Sequence, residues 1–395
     1  MKCRHCEAEL KLPLIDLGSA PPSNAYLTSE TLHASEKHFP LRVLVCTECW
    51  LVQTEDYADA DELFSSDYAY FSSFSSTWLN HAKQYIADMT QYFSLSSSSH
   101  VVEVAANDGY LLQYAKASGI PCLGIEPTES TANAARAIGI DIVQEFFGVQ
   151  LAKQLVEQGK QADLTAANNI LAHVPDINDF VAGFSTLLKP AGVATFEFPH
   201  LLRLVSENQF DTVYHEHYSY LSLIAVKSIF ERNGLKVFDV EELTTHGGSL
   251  RVYAQRIDTG MREQTQNVAK IIECEIEAGM SNIEFYSGFQ AKANKVKNDL
   301  LVFLIEAQKA GKTVAGYGAA AKGNTLLNYA GIRPDVLPYV VDRIPILTEE
   351  ALKQNKPDYV LILPWNLHDE VAEQLSYIRE WGGQFVTSVP SLKVG

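Results

Sequence analysis

Residues 100–126 constrain the fold more than any other stretch of this chain. His100, Val101, Val102, Glu103 and Val104 read as a buried strand that runs into the tight turn Ala105-Ala106-Asn107-Asp108-Gly109. A helix is expected over residues 111–118, and a second strand, Cys122-Leu123-Gly124-Ile125, ends in Glu126-Pro127. Strand, small-residue turn, helix, strand and acid is the pattern of an open α/β sheet that grips a nucleoside at its strand ends. Glu126 is placed to accept hydrogen bonds from two ribose hydroxyls. The turn lacks the second glycine of a GxGxxG pattern, and Glu103 and Asp108 would repel a pyrophosphate. They suit a cationic, phosphate-free ligand such as S-adenosylmethionine (SAM), a sulfonium that also carries an ammonium group. The turn favours methyl transfer over hydride transfer in this part of the chain, with Glu103, Asn107, Asp108, Gly109 and Glu126 as cofactor contacts.

The βαβ rhythm continues beyond it. Residues 162–169 form a strand that ends at Asn168 and Asn169 against the same ligand, with His173 just beyond. Residues 192–199 are the next strand. Residues 246–253 read as the final one, where Gly247 and Gly248 allow close backbone approach and His246 is as much a structural candidate as a ligand contact. Between these two strands lies Val213-Tyr214-His215-Glu216-His217-Tyr218-Ser219-Tyr220-Leu221-Ser222, the densest cluster of proton-handling groups in the chain. His215 and His217 could be a pair of metal ligands, or the whole cluster could be satisfied polar groups on a loop. A place just after a strand end favours the third reading, catalytic or substrate-contacting residues.

Four of the six cysteines form Cys3-x-x-Cys6 and Cys46-x-x-Cys49. Thiolates at this spacing suit a tetrahedral structural zinc, and four sulfur ligands leave no open position for chemistry. Disulfides compete, but the N-terminus has no apolar signal-peptide core, which points to the cytoplasm. Redox use is disfavoured because neither pair opens a helix after a strand. Residues 67–78, where serines alternate with aromatics, form either a linker or a tyrosine- and hydroxyl-lined lid ahead of a helix at 79–92.

With 48 acidic against 31 basic residues the net charge is −17, and the sequence holds no basic stripe. Nucleic acid and anionic membranes are therefore poor partners, and no apolar run is long enough to span a bilayer. A chain of 395 residues has room for two or three domains. The last third opens with a helical region at about 264–310, then a strand, a glycine turn and a helix start over 312–325. Gly316-x-Gly318-x-x-Ala321 matches a dinucleotide pattern, Lys322 stands beside it, and Asp342 follows a further strand. The diphosphate it would hold belongs to a dinucleotide or to a nucleotide-sugar, unless the turn is purely structural. Trp365 and Asn366 could face the same ligand.

In its ordered set of motifs the chain resembles the sugar C-methyltransferases, SAM-dependent enzymes that methylate a ring carbon of nucleotide-linked 4-keto-deoxysugars. The likeness runs through the cysteine quartet, Tyr68-x-Tyr70-x-Ser72-Ser73 and the Asn107-Asp108-Gly109 turn. It continues through Asn168-Asn169-x-x-x-His173, Tyr214-His215-Glu216-His217-Tyr218, His246-Gly247-Gly248-Ser249-x-Arg251 and the stretch from Gly316 to Thr325. It implies a zinc lobe with a lid (1–75), a Rossmann-like class I methyltransferase domain (76–256), and a helical linker with a second α/β domain (257–395). It also implies that Gly316, Gly318, Lys322 and Asn324 hold a nucleotide-sugar diphosphate. His217 would then be the general base, helped by Tyr68, Tyr214, Glu216 and His173. Tyr70, Ser72, Ser73, His215 and Arg251 would contact substrate. The alternative is an NAD-dependent oxidoreductase built on the C-terminal glycine turn. A monomer or small homo-oligomer is expected. Two departures stand out: Ala105 where the family often has glycine, and residues 340–346, where relatives usually carry a dozen more.

Overall fold

The computed structural model describes residues 1–23, 34–57, 71–318, 321–341 and 349–395. The N-terminal strands β1 (Leu12–Ala20), β2 (Phe39–Val45) and β3 (Val52–Thr54) pair as an antiparallel meander. The next strands are β4 (Val101–Val104), β5 (Cys122–Ile125), β6 (Ile142–Val143), β7 (Ala162–Asn168), β8 (Leu188–Pro199), β9 (Ser219–Tyr220), β10 (Leu235–Leu243) and β11 (Ser249–Arg256). All of these but β9 build one sheet in the order β10-β11-β8-β7-β4-β5-β6. β11 runs antiparallel to both its neighbours and every other pair is parallel. β4 is wholly and β7 almost wholly buried because helices cover both faces of a parallel sheet. Phe184, Phe196 and Phe230 stack edge-on or tilted within that core, at 4.8 and 4.7 Å between centroids. Each buried ring stabilises the fold by roughly 2–3 kcal/mol.

β9 leaves this unit and pairs with β3, Val52 opposite Tyr220 and Gln53 opposite Ser219. The segment richest in titratable groups therefore belongs to the sheet of the cysteine lobe. The C-terminal strands β12 (Val314–Tyr317), β13 (Val340–Val341), β14 (Tyr359–Ile362), β15 (Gln384–Thr387) and β16 (Lys393–Val394) form a third sheet, order β13-β12-β14-β15-β16, parallel except for β16.

Three boundaries differ from the sequence expectation. The helix expected at 79–92 spans Ser76–Phe93, because the Ser75 hydroxyl accepts from the Trp78 N–H at 3.2 Å and caps it. The strand expected from His246 begins at Ser249, since His246, Gly247 and Gly248 all take positive φ and turn the chain first. That strand is also internal, lodged between β8 and β10. The helical region at 264–310 is three helices, Gln266–Glu277, Ile283–Tyr286 and Phe289–Lys309, separated at Gly279 and Gly288, both left-handed. Tyr68, Tyr70, Ala319, Ala320, Asp342 and the short junction after Val341 lie outside the described residues.

Candidate active site

In the central sheet the strand order reverses between β4 and β7, and the carboxyl ends of the strands at such a switch point are where open α/β sheets bind their ligands. The turn after β4 is tightly wound: Ala105, Asn107 and Gly109 have φ of 59°, 48° and 80°. Glu126, at the end of β5, accepts from the Asn107 N–H at 2.9 Å and the Thr128 N–H at 3.0 Å, which locks its carboxylate over the turn. Asn107 Oδ1 and Asp108 Oδ2 accept from the backbone N–H groups of Ser72 and Ser73, at 2.9 and 3.0 Å. Ser72 and Ser73, expected at substrate, are thus fastened by their backbone to the turn after β4.

Glu103 is buried, and burial, with the charges of Glu126 and Asp108, pushes its carboxyl well above the usual range against a hydrogen bond from Tyr110. A cation bound among these three acidic groups would relieve their mutual repulsion. Asn168, at the end of β7, is buried with no hydrogen-bond partner for either side-chain polar atom among the described residues. An orphaned amide at a strand end is a built receptor for a polar ligand. Asn169 donates from Nδ2 to His246 Nε2 at 3.2 Å. These groups fit SAM: an acid for the ribose, carboxylates for its cationic end, amides at the rim.

His217 sits in a turn closed by its own N–H on the Tyr214 carbonyl, 3.0 Å. Its Nδ1 lies 2.9 Å from the Thr212 carbonyl oxygen, which can only accept, so Nδ1 carries the proton and Nε2 the lone pair. The Tyr214 ring lies tilted against the imidazole at 3.9 Å between centroids, and His173 meets it edge-on at 4.6 Å. Burial holds His217 well below the ordinary histidine value, reinforced by the neighbouring His173, His246 and Lys322, while the Thr212 carbonyl pulls the other way. Burial likewise lowers His173 to about 4, against the Glu216 carbonyl, and His246 to about 4, helped by Lys322. The imidazoles are neutral at pH 7, the form a proton acceptor needs.

The other expected site residues face elsewhere. His215 Nε2 approaches the Phe39 carbonyl at 3.2 Å, against β2, and burial lowers its pKa. Glu216 is fully buried and accepts from Ser23 Oγ at 3.0 Å. Arg251 is an internal strut: Nε donates to Glu197 at 2.6 Å, Nη1 to Glu241 at 3.1 Å, and the guanidinium lies over Tyr85. His81, unforeseen in the sequence, donates to the second oxygen of Glu197 at 2.8 Å.

The C-terminal unit reaches the same place. Its own strand order reverses between β12 and β14, and Gly318 (φ 80°) passes so near Pro364 that an added Cβ would stand 2.5 Å from the ring. Gly316 packs under Val340, where a Cβ would come within 3.0 Å. On the helix Ala321–Ala330, Thr325 donates to the Val213 carbonyl at 2.8 Å and Asn324 to the Ser23 carbonyl at 2.7 Å. Lys322 lies over the Trp365 ring and donates to Asn366 Oδ1 at 2.8 Å. The Trp365 indole donates in turn to Asp211 at 2.8 Å. Asp211 is fully buried, and burial raises its carboxyl to about 6 although Lys322 and the indole N–H oppose the rise. No spacing pattern in the sequence marks Asp211.

The sulfurs of Cys3, Cys6, Cys46 and Cys49 lie within 4.8 Å of one another, with Cys3–Cys49 at 3.6 Å and Cys6–Cys46 at 3.5 Å. Zinc–sulfur bonds of about 2.3 Å give a tetrahedron with edges of about 3.8 Å, so the four thiols fit the ion. The hydrogen bond with Cys49 lowers the pKa of the Cys3 thiol, toward the thiolate form a metal takes. Among the described residues this is the one cluster able to hold a metal, and His215 and His217 are not part of it.

A four-cysteine zinc-binding lobe and a central sheet in the order β10-β11-β8-β7-β4-β5-β6 are the architecture of a SAM-dependent methyltransferase. Three family models match along it: a zinc binding domain at 3–64, a methyltransferase domain at 78–240 and a C-methyltransferase C-terminal domain at 244–390. The chain is 30% identical over 406 aligned positions to the C-methyltransferase NovU of Streptomyces niveus, covering 100% of this chain and 96% of that one. It belongs to this C-methyltransferase family. A ubiquinone biosynthesis O-methyltransferase of Bordetella avium is 30% identical over 98 residues, 24% of this chain and 41% of its own. Among solved structures, the magnesium protoporphyrin IX methyltransferase of Synechocystis with bound SAH aligns at 14% identity and TM-score 0.36, covering 45% of this chain and 83% of that one. Among the described residues no helix is long and apolar enough to cross a membrane.

Proposed function

We propose that the enzyme methylates C3 of a nucleotide-linked 4-keto-6-deoxyhexose, with His217 as the general base. The observation that carries this reading is the 2.9 Å contact of His217 Nδ1 with the Thr212 carbonyl oxygen. Nδ1–H is committed to the Thr212 carbonyl, which leaves the Nε2 lone pair to accept a proton on a ring that lies against Tyr214 and His173. A carbonyl at C4 acidifies the neighbouring C–H, so a neutral imidazole held beside it can remove that proton. The enolate oxygen needs a donor, and Tyr214 and His173 are the groups at hand. SAM, when bound, supplies an electrophilic methyl on a sulfonium to the carbon so activated. Glu103, Asn107, Asp108, Gly109, Glu126, Asn168 and Asn169 would hold it.

Gly316, Gly318, Lys322 and Asn324 would serve the diphosphate, with Lys322 the cation, carried on Trp365 and Asn366. Zinc would be held by the four cysteines and is remote from this chemistry by its saturated sulfur set. Six free thiols fit a reducing cytoplasm. The test is mass spectrometry of products from SAM with a panel of 4-keto nucleotide-sugars. A gain of one methyl at carbon is expected, and His217→Asn should lower turnover by about 10²–10⁴-fold while SAM still binds. Unchanged turnover in His217→Asn would sink the assignment.

A further inference from the structure

The first cysteine knuckle does more than close a metal site. Its two inner residues, half-buried Arg4 and buried His5, both make interactions beyond the knuckle. His5 Nδ1 meets Asn178 Oδ1 at 2.9 Å and Nε2 meets Ser228 Oγ at 3.3 Å, two side chains of the methyltransferase unit. Arg4 turns the other way. Its guanidinium covers the Tyr218 ring at 5.1 Å, and Nη2 donates to the Thr54 carbonyl at 2.8 Å and to Asp56 at 2.7 Å. Its backbone N–H donates to Gln53 Oε1 at 2.9 Å, and Gln53 Nε2 donates to Cys3 Sγ at 3.2 Å. Gln53 is fully buried, so its amide joins a ligand sulfur to the knuckle backbone with no water to compete.

From Gln53 the path to the base is one residue long. Thr54 donates from its hydroxyl to the His217 carbonyl at 2.6 Å and from its N–H to the Tyr218 carbonyl at 3.1 Å. β3 and β9 then continue the same ladder through Gln53 and Ser219. The backbone on both sides of the His217–Tyr218 peptide is thus held from the cysteine lobe, while the imidazole is held by Thr212.

We propose that the first cysteine knuckle positions the catalytic segment, with Arg4, Gln53 and Thr54 as positioning residues for His217. This rests on the reading of His217 as base. Four thiolates on one ion make the Cys3–Cys6 loop rigid, and that rigidity fixes where Arg4 and the Gln53 amide point. Thr54 passes the constraint to the His217 carbonyl. A zinc site with no open position thereby sets the aim of a base it never touches.

The experiment uses the full-length, zinc-loaded enzyme and compares Thr54→Val, Thr54→Ser, Arg4→Met and His217→Asn. Zinc content, SAM affinity by calorimetry, kcat and KM are measured, together with amide hydrogen exchange of a peptide spanning 212–220. Thr54→Val should keep its zinc and its SAM affinity, lower kcat by about 100-fold with KM nearly unchanged, and speed exchange at 212–220 by about tenfold. Thr54→Ser, which keeps the hydroxyl, should recover kcat to within about threefold. Arg4→Met should act in the same direction as Thr54→Val. Wild-type kcat and exchange in Thr54→Val, or Thr54→Ser as impaired as Thr54→Val, overturn the proposal. If Thr54→Val does not fold, chelating the zinc from wild type decides instead: faster exchange at 212–220 with residues 101–126 still protected supports the coupling, and unchanged exchange overturns it. Full turnover in His217→Asn would fell the base assignment alone, because the exchange measurements read the coupling without it.

Discussion

His217 has its two ring nitrogens in different states, and the pH dependence of the enzyme follows from that. Burial lowers its pKa well below the ordinary histidine value, and His173 and His246 are both drawn to about 4. An isolated histidine base would give an acid limb in kcat/KM near pH 6.5. Here the limb should lie clearly below 6.5, because the free enzyme keeps its imidazoles neutral to lower pH. A limb centred at or above 6.5 in the pH–rate profile would contradict the proposed base. The candidate base was legible in the sequence because histidine, glutamate and tyrosine are crowded in one stretch. Its neighbour Asp211 was not. An aspartate between Phe210 and Thr212 looks ordinary until the fold brings Trp365, more than 150 residues away, to within hydrogen-bond distance.

Among the elements, the turn after β4 carries the most backbone strain. Ala105 and Asn107 hold left-handed conformations that cost a residue with a Cβ about 1 kcal/mol, and Gly109 follows at φ 80°. Space separates these positions. A Cβ on Gly109 would stand 3.1 Å from Ile138, 3.2 Å from Ile140 and 3.3 Å from Ala135. Ala105→Gly should therefore leave SAM affinity within about twofold and stability within about 1 kcal/mol of wild type. Gly109→Ala should cost about 1–3 kcal/mol in thermal or urea unfolding and weaken SAM binding as well. Equal behaviour of the two variants would show that the turn is not strained as described. Residues 100–126 announced this element plainly, since strand, turn, helix and strand follow one another without interruption. Residues 246–253 were read less well, because the same glycines that permit a strand to approach a neighbour also permit the turn that delays it.

Across the whole molecule, burial holds down the pKa values of four histidines, and acid should therefore destabilise the fold. His173, His215, His217 and His246 all have folded pKa values below the unfolded value of about 6.5. Below pH 6.5 the unfolded chain takes up protons that the folded chain refuses, so this stability is present above 6.5 and is lost as the pH falls toward 4. Glu103 and Asp211, with raised pKa values, act in the opposite sense but are fewer. Net stability should therefore fall between pH 6.5 and 4, measured by urea unfolding at fixed ionic strength. A flat or rising profile over that window would contradict the burial of the histidine group.

What the sequence determined by itself was everything that depends on near neighbours: the paired cysteines, the tight turn after β4, the glycine turn of the C-terminal sheet and the concentration of proton-handling groups at 214–220. Each is a local pattern whose chemistry or period shows within a few dozen residues. Only the tertiary structure decided which lobe holds those groups. β9 pairs with β3 across more than 160 residues of chain, Arg251 is drawn into the sheet by Glu197 and Glu241, and Lys322 comes to lie near His217 and His246. The reason is physical. Strand pairing and buried charge compensation are chosen by what the finished core leaves unsatisfied, and no period in the sequence records that choice.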